Sequence, residues 1–473
     1  MSKLTLLFQR DDNSKLPLYM QLYGYIKTEI TNGHITAGER LPAIRRAAKD
    51  LSLSLTTIEM AYSQLLVEGY VISKPQSGYY VTDILIREGK DKGKGSLSSD
   101  PFKLSAYSFD SENLIYDPSC FDFIKWKKAA SRVFTEYAHM LFFGSDPQGE
   151  AVLRYEISKY AYSSRGVVCT PDQIVIGAGT QQLTTHLSRI MRKMPINNIC
   201  TETPGYLPIQ KILEDTGFAI TKIPVDDDGI QVDKLPTNIP SAVYVSPNNQ
   251  FPTGAVMPIA RRYQLLNWAK DNNSYIIEDD YDSELRYFGK PIPALQGLWD
   301  NSRVVYLGSF SSTLFPAIRI SYMVLPEDMA EIFHSFKQDY TQTCSKAEQL
   351  TLALFMEEGH YLKGIKRMRN LYSQKLAVCI KSINTHGKGF VTAVNTNSGL
   401  NIILMVETGE HAHVLCKRAR ESGAYVEAIT SEREISQDLD SSSKALAFYY
   451  SRIPLEQLDE VIKKVIDSWT QLK

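Results

Sequence analysis

The sequence predicts an α/β protein in two parts: an N-terminal module ordered helix, helix, turn, helix, hairpin, and a large domain on a mostly parallel sheet. Three observations predict it. Helical periodicity in three segments between Leu18 and Leu65 gives way to two short strand-like runs around a Pro/Gly turn. From about Tyr107 onward, apolar strand-like runs alternate with helical periodicity, the pattern of helices packed on a mostly parallel sheet. Between them lies Arg87-Glu-Gly-Lys-Asp-Lys-Gly-Lys-Gly-Ser-Leu-Ser-Ser-Asp100, almost devoid of apolar side chains. That is linker composition, unable to offset its own ordering entropy. The expected domains are residues 1–82 and 107–473, joined by a linker over 83–106.

Composition narrows the class. The chain is 43% hydrophobic and 22% charged with a formal net charge of −1, which fits soluble globular domains rather than a tail or a fibre. No apolar stretch reaches the roughly 18 residues of a membrane span, so no membrane partner is expected. The first residues lack the pattern of a secretory signal, and the six scattered cysteines form no CxxC pair. A cytoplasmic protein with reduced, mostly buried thiols is the expectation. His411-Ala412-His413 has no further ligands near it in sequence, so no metal site is expected, and the pair reads as a solvated strand or loop edge.

Leu22, Ile26 and Ile30 form one face of a first helix over Leu18–Thr31, and Gly33 stops it. A second helix starts just after Pro42. Ser52-Leu53-Ser54 makes a short turn, with Ser54 the N-cap of a third helix. Ile58, Ala61, Tyr62 and Leu65 face inward on that helix, while Thr56, Thr57, Glu59 and Ser63 face out. Tyr70–Val81 reads as a hairpin. This order is a winged helix-turn-helix, whose third helix enters the major groove of double-stranded DNA. With nine Lys/Arg against seven Asp/Glu over residues 1–82, charge alone does not make the argument. The motifs do. Leu41-Pro42-Ala43-Ile44-Arg45, Thr57-Ile58-Glu59-Met60-Ala61-Tyr62, Leu65 and Glu68-Gly69-Tyr70 resemble the GntR family signature. The resemblance implies DNA contacts by Arg40, Arg45, Ser54, Thr56 and Thr57, with a wing from Lys74 to Gly78. One departure is Leu55, where the family often has arginine. A winged helix used only for protein contacts is the plainer alternative.

In the large domain, Ile174-Val-Ile-Gly177-Ala-Gly179-Thr180-Gln181-Gln182 runs from an apolar strand through glycines into a helix, offering free N–H groups to a phosphate. Glu202-Thr203-Pro204-Gly205-Tyr206, Tyr275-Ile-Ile-Glu-Asp279-Asp280-Tyr281 and Leu307-Gly308-Ser309-Phe310-Ser311-Ser312-Thr313-Leu314-Phe315-Pro316-Ala317-Ile318-Arg319 follow in order. Together these resemble the fold-type I aminotransferases, which use pyridoxal 5′-phosphate (PLP) on a mostly parallel sheet with a smaller C-terminal α/β subdomain, expected here from about residue 350. By that resemblance Thr180, Gln181, Ser309, Ser311 and Arg319 hold the phosphate, Tyr206 stacks on the pyridine, and Tyr281 reaches its phenolic oxygen. An acid pairs with the ring nitrogen. Spacing leaves Asp279 and Asp280 both open for that role, and the resemblance favours Asp279.

The pattern breaks where chemistry is needed. The Schiff-base lysine position holds Ser312, with no lysine between Lys290 and Lys337, and a hydroxyl cannot form an imine. Phe251 stands where aminotransferases often carry asparagine. Leu207-Pro208 follows Tyr206 where related regulators can carry a ligand-binding arginine. Ala447 aligns with the arginine that clamps a substrate carboxylate, and the register points Arg452 elsewhere. Catalytic residues are therefore none. The cofactor is expected to be PLP held non-covalently, or no cofactor.

A GntR-type reader ahead of this domain resembles the MocR/GabR-like regulators. That implies a homodimeric transcription regulator sensing an unidentified small-molecule effector through a catalytically inert domain. An active PLP enzyme with an accessory reader and a ligand-free DNA-bound scaffold are the other two classes the sequence allows.

Overall fold

The computed structural model describes residues 8, 10–11, 16–74, 77–83, 117–287, 292–298, 301–394, 399–429 and 443–471. Apart from Asp83, the expected linker lies outside them, as do Pro75 and Gln76 of the expected wing. The chain divides into two compact units, residues 1–105 and 106–473.

The first unit holds α1 (Leu18–Thr31), α2 (Ile44–Leu51), α3 (Leu55–Val67) and the antiparallel hairpin β1 (Val71–Lys74) and β2 (Gly78–Val81). Leu22 and Ile26 of α1 meet Ile58, Ala61, Tyr62 and Leu65 of α3, all wholly buried. Val71 and Val81, cross-strand partners, close this core from the hairpin side. Ser52 takes the left-handed conformation (φ 54°) that ends α2, and Ser54 Oγ accepts the Thr57 backbone N–H at 3.1 Å. That cap fixes where α3 begins.

In the second unit an eight-stranded sheet comprises β3 (Ile174–Gly177), β4 (Asn198–Thr203), β5 (Ala219–Asp226), β6 (Gly229–Ile230), β7 (Ser241–Val245), β8 (Tyr275–Asp279), β9 (Val304–Ser309) and β10 (Ser321–Val324). Their order is β3-β10-β9-β8-β7-β4-β5-β6. Strands β5, β4, β7, β8 and β9 are parallel neighbours, while β10 runs antiparallel to both β9 and β3. Every residue of β7 and β8 is buried, as expected of strands covered on both faces. Ala242 and Tyr244 join one core and Val243 and Val245 another, the period of two that a pleated strand imposes.

Helices α4 (Phe123–Glu136), α5 (Ala151–Arg165), α6 (Thr180–Arg192), α7 (Leu207–Asp215), α8 (Ile259–Asp271), α9 (Glu327–Phe336) and α10 (Lys346–Glu357) belong to this layer. A long α11 (His360–Gly387) leads to a four-stranded antiparallel sheet, β11 (Val391–Val394), β12 (Ile402–Glu407), β14 (Ser443–Phe448) and β13 (Val426–Ala428) in that order, with α12 (Ala412–Glu421) and α13 (Leu458–Thr470). Leu350–Met356 of α10 pack into the large-domain core, and the small sheet's core takes up from Leu376. The changeover thus falls within α11 rather than near residue 350. His411 ends the loop ahead of α12 as its N-cap residue, in keeping with a loop edge, whereas His413 lies in the helix's first turn.

Candidate functional site

On the reader, Arg45 is exposed in the first turn of α2, and its neighbour Arg46 pairs instead with Asp50. Arg40 is exposed too, bridged to Tyr80 of β2 with its guanidinium against Gly78. Lys74 lies 4.6 Å from the centre of the Tyr80 ring, so both wing and α2 flank present cations. The hydroxyls of Thr56 and Thr57 stand 3.2 and 2.8 Å from Ser54 Oγ, tying both threonines to the N-cap. Leu55 and Met60 are about half exposed on the same helix, a surface that an inward-facing periodicity does not single out.

In the second unit, the carboxyl ends of β3, β4, β8 and β9 share one edge of the sheet, where open α/β sheets bind ligands. Gly179 (φ 96°) caps α6, ahead of Thr180 and Gln181. A Cβ at Gly179 would collide with the guanidinium of Arg319, so only glycine lets that cation reach the helix N-terminus. Ser309 Oγ accepts the Ser311 backbone N–H at 3.3 Å and the Ser321 hydroxyl at 3.0 Å. Ser311 Oγ is buried with no hydrogen-bond partner among the described residues. An orphaned hydroxyl on this segment and a cation at a helix N-terminus both suit a phosphate group.

The two acids differ in their partners. Asp280 accepts hydrogen bonds from Asn248 Nδ2 (2.5 Å), the Tyr306 hydroxyl (2.6 Å) and Arg165 Nε (3.0 Å), which occupy its carboxylate with structural partners. Asp279 faces the other way and accepts from the Tyr244 hydroxyl. Burial, opposed by that hydrogen bond, pushes its carboxyl up to about 7. Tyr206 faces Asp279, Arg319 and Gln181: burial raises its hydroxyl and Asp279 adds to the rise, while Arg319 and Gln181 oppose it. Phe251 packs edge-on to Tyr206 and Tyr281, with ring centres 5.9 and 6.5 Å away. Ser312 is buried. Burial pushes the Asp282 carboxyl up to about 6, opposed by the nearby Ser312 hydroxyl. Sequence reasoning missed Tyr244, Asn248, Arg165 and Asp282; of these only Asp282 carried a signal, as the last acid of the 279–282 run.

A cavity of about 900 Å³ opens between Tyr206 and Phe251 on one side and α12 on the other, with Ala447 in its lining. Among the ring-site groups, Tyr206, Phe251 and Glu202 line it, while Arg319 and Ser312 lie outside it. Arg452 is turned away, its guanidinium 3.9 Å from the centre of the Tyr425 ring and 5.1 Å from that of Tyr449.

Asp279 gives a stability prediction with a definite sign. Its folded-state value lies above its ordinary 3.8, so the folded chain binds the proton more tightly and loses stability as pH rises from about 4 to 7. Above pH 7 an ionised, buried carboxylate without a cation is retained, at a cost on the order of 2–4 kcal/mol. Asp279→Asn should therefore raise the melting temperature at pH 8 while abolishing tight binding of a protonated pyridine. A lower melting temperature would contradict the assignment of this acid to a ligand.

A winged-helix reader joined to an aminotransferase fold defines a DNA-binding transcription regulator. Residues 18–81 match the bacterial regulatory proteins of the gntR family, and residues 107–462 match aminotransferase class I and II. The chain is 38% identical over 460 residues to the HTH-type transcriptional regulator YdeL of Bacillus subtilis, covering 96% of this chain and 97% of that one. It is 32% identical over 429 residues to the probable rhizopine catabolism regulatory protein MocR of Rhizobium meliloti, covering 87% and 86%. Among solved structures, the multiple substrate aminotransferase of Thermococcus profundus superposes with a TM-score of 0.65 at 22% identity, over 82% of this chain and 97% of that one. The chain belongs to the MocR-type regulators of the GntR family. Among the described residues, no helix is long and apolar enough to cross a membrane.

Proposed function

We propose that this regulator senses a small molecule in a catalytically inert aminotransferase-type pocket, with PLP or a close analogue held non-covalently, in the cytoplasm. The observation that carries the reading is the contrast within one segment: Ser312 stands, buried, at the lysine position, while Arg319, Gly179 and the orphaned Ser311 hydroxyl keep a phosphate cup. When bound, PLP supplies an electron-withdrawing pyridinium; this chain's part is to hold that ring through Asp279, Tyr206 and Tyr281 and to anchor the phosphate. With Ser312 and Ala447 in place, neither imine formation nor carboxylate clamping has its residue. Simple α- or γ-amino acids held through a carboxylate are accordingly not the expected effectors.

A sensing ligand must bind the two reader arrangements unequally. Operator affinity measured by fluorescence anisotropy should change at least fivefold on saturating the pocket with its phosphopyridine. An unchanged affinity, with pocket occupancy verified, would leave a DNA-bound scaffold as the better description.

The expected homodimer rests on surface chemistry as well as on resemblance. Phe123, Ile124, Phe134, Phe142, Phe143 and Tyr162 are each more than half exposed on α4, the turn after it and α5. So much apolar surface in one stretch marks an association face. Sedimentation at micromolar concentration should give a dimer, and a two-fold dimer should protect repeated half-sites. A monomer that still binds its operator fully would refute this.

A further inference from the structure

The helix of the reader that enters the major groove, α3, carries no lysine or arginine. Across Leu55–Val67 the one charged side chain is Glu59, which is exposed. The cations stand around that helix instead: Arg40 and Arg45 flank the start of α2 and Lys74 lies on the wing, all three exposed. Guanine shows two acceptors in the major groove, O6 and N7, and is read by the donors of an arginine or a lysine. Helix α3 has neither. Gln64, the one amide that could pair with adenine, donates to Glu68 Oε1 at 2.7 Å. The hydroxyls of Thr56 and Thr57 are drawn back onto Ser54 Oγ, 3.2 and 2.8 Å away.

What remains at the N-terminal end of α3 is apolar. Leu55 is the first residue of the helix, next to the Ser54 cap, and is about half exposed. It is not among the residues that build the reader's core, to which this helix contributes Ile58, Ala61, Tyr62 and Leu65. A leucine outside the core, at the end of the helix whose first residues meet base edges, has its surface free for a base. The apolar group that B-DNA offers there is the C5-methyl of thymine.

We infer that Leu55 is a specificity residue of the reader, selecting thymine in the operator through its methyl group. Glu59, one turn further along the same side of α3, adds to the selection by repelling the acceptors of guanine.

The operator is first selected by the full-length protein from a pool of random DNA duplexes. Each thymine of the selected duplex is then replaced singly by deoxyuridine, which removes the methyl group alone, and affinity is read by fluorescence anisotropy. At least one replacement should weaken binding about fourfold, the worth of one buried methyl group. Leu55→Ala should bind the thymine duplex as weakly as wild type binds the uracil one, and should no longer tell the two apart at that position. Leu55→Met, which restores apolar reach, should keep the distinction. Circular dichroism of both variants should match wild type, since Leu55 lies outside the core. Wild type indifferent to every deoxyuridine, or a sensitivity that survives Leu55→Ala, overturns the inference.

Discussion

Ser312→Lys is expected to make the protein fix PLP as a borohydride-reducible adduct. The new amine would enter a buried position, where desolvation favours its neutral, nucleophilic form. The phosphate cup and Asp279 would hold the ring without further change. Mass spectrometry after reduction should find the phosphopyridoxyl group on residue 312 at near-stoichiometric level, against none in wild type. Useful transamination should not follow. Ala447 still leaves the substrate carboxylate unclamped, and orientation supplies much of such rate enhancement. Failure of the variant to take up PLP at all would mean that the cup has decayed and serves another ligand or none.

Arg45→Ala should weaken specific operator binding by about 1–3 kcal/mol, roughly ten- to hundredfold, the loss of one specific contact. Arg45 is exposed in the first turn of α2, where a cation reaches phosphate or base edge, and its loss removes no packing. If the contact is to phosphate, the loss should be similar on non-specific DNA and the salt slope should fall by about one. If it is to a base, discrimination at one operator position should relax. Unchanged affinity for the native promoter at the same salt would remove Arg45 from the reader. Circular dichroism of the variant should match wild type, since Ala47 and Ala48, not Arg45, face the core.

The reader was legible because each of its signals is local. Ser54 caps α3, Ile58, Ala61, Tyr62 and Leu65 repeat at helical spacing, and the hairpin brackets a Pro/Gly turn. In the large domain the motif residues were legible and their orientations were not. Asp280 is claimed by Arg165, Asn248 and Tyr306, three residues from distant segments, while Asp279 is left to Tyr244. No local pattern announces such partners. Tyr244 was hidden for the same reason, as one residue in an apolar strand buried on both faces. The passage between the two cores inside α11 was unreadable because one uninterrupted helix serves both.

Turnover by the unmodified protein tests the central claim most directly. Full-length wild type, saturated with PLP, would be offered a panel of amino acids with an oxo-acid acceptor, and amino-group transfer followed by chromatography. The inert-pocket account predicts transfer no faster than PLP alone in buffer, in a preparation that protects its operator in footprinting. Protein-dependent, multiple-turnover transfer that disappears with Asp279→Asn would contradict it and make the chain an enzyme carrying a DNA reader.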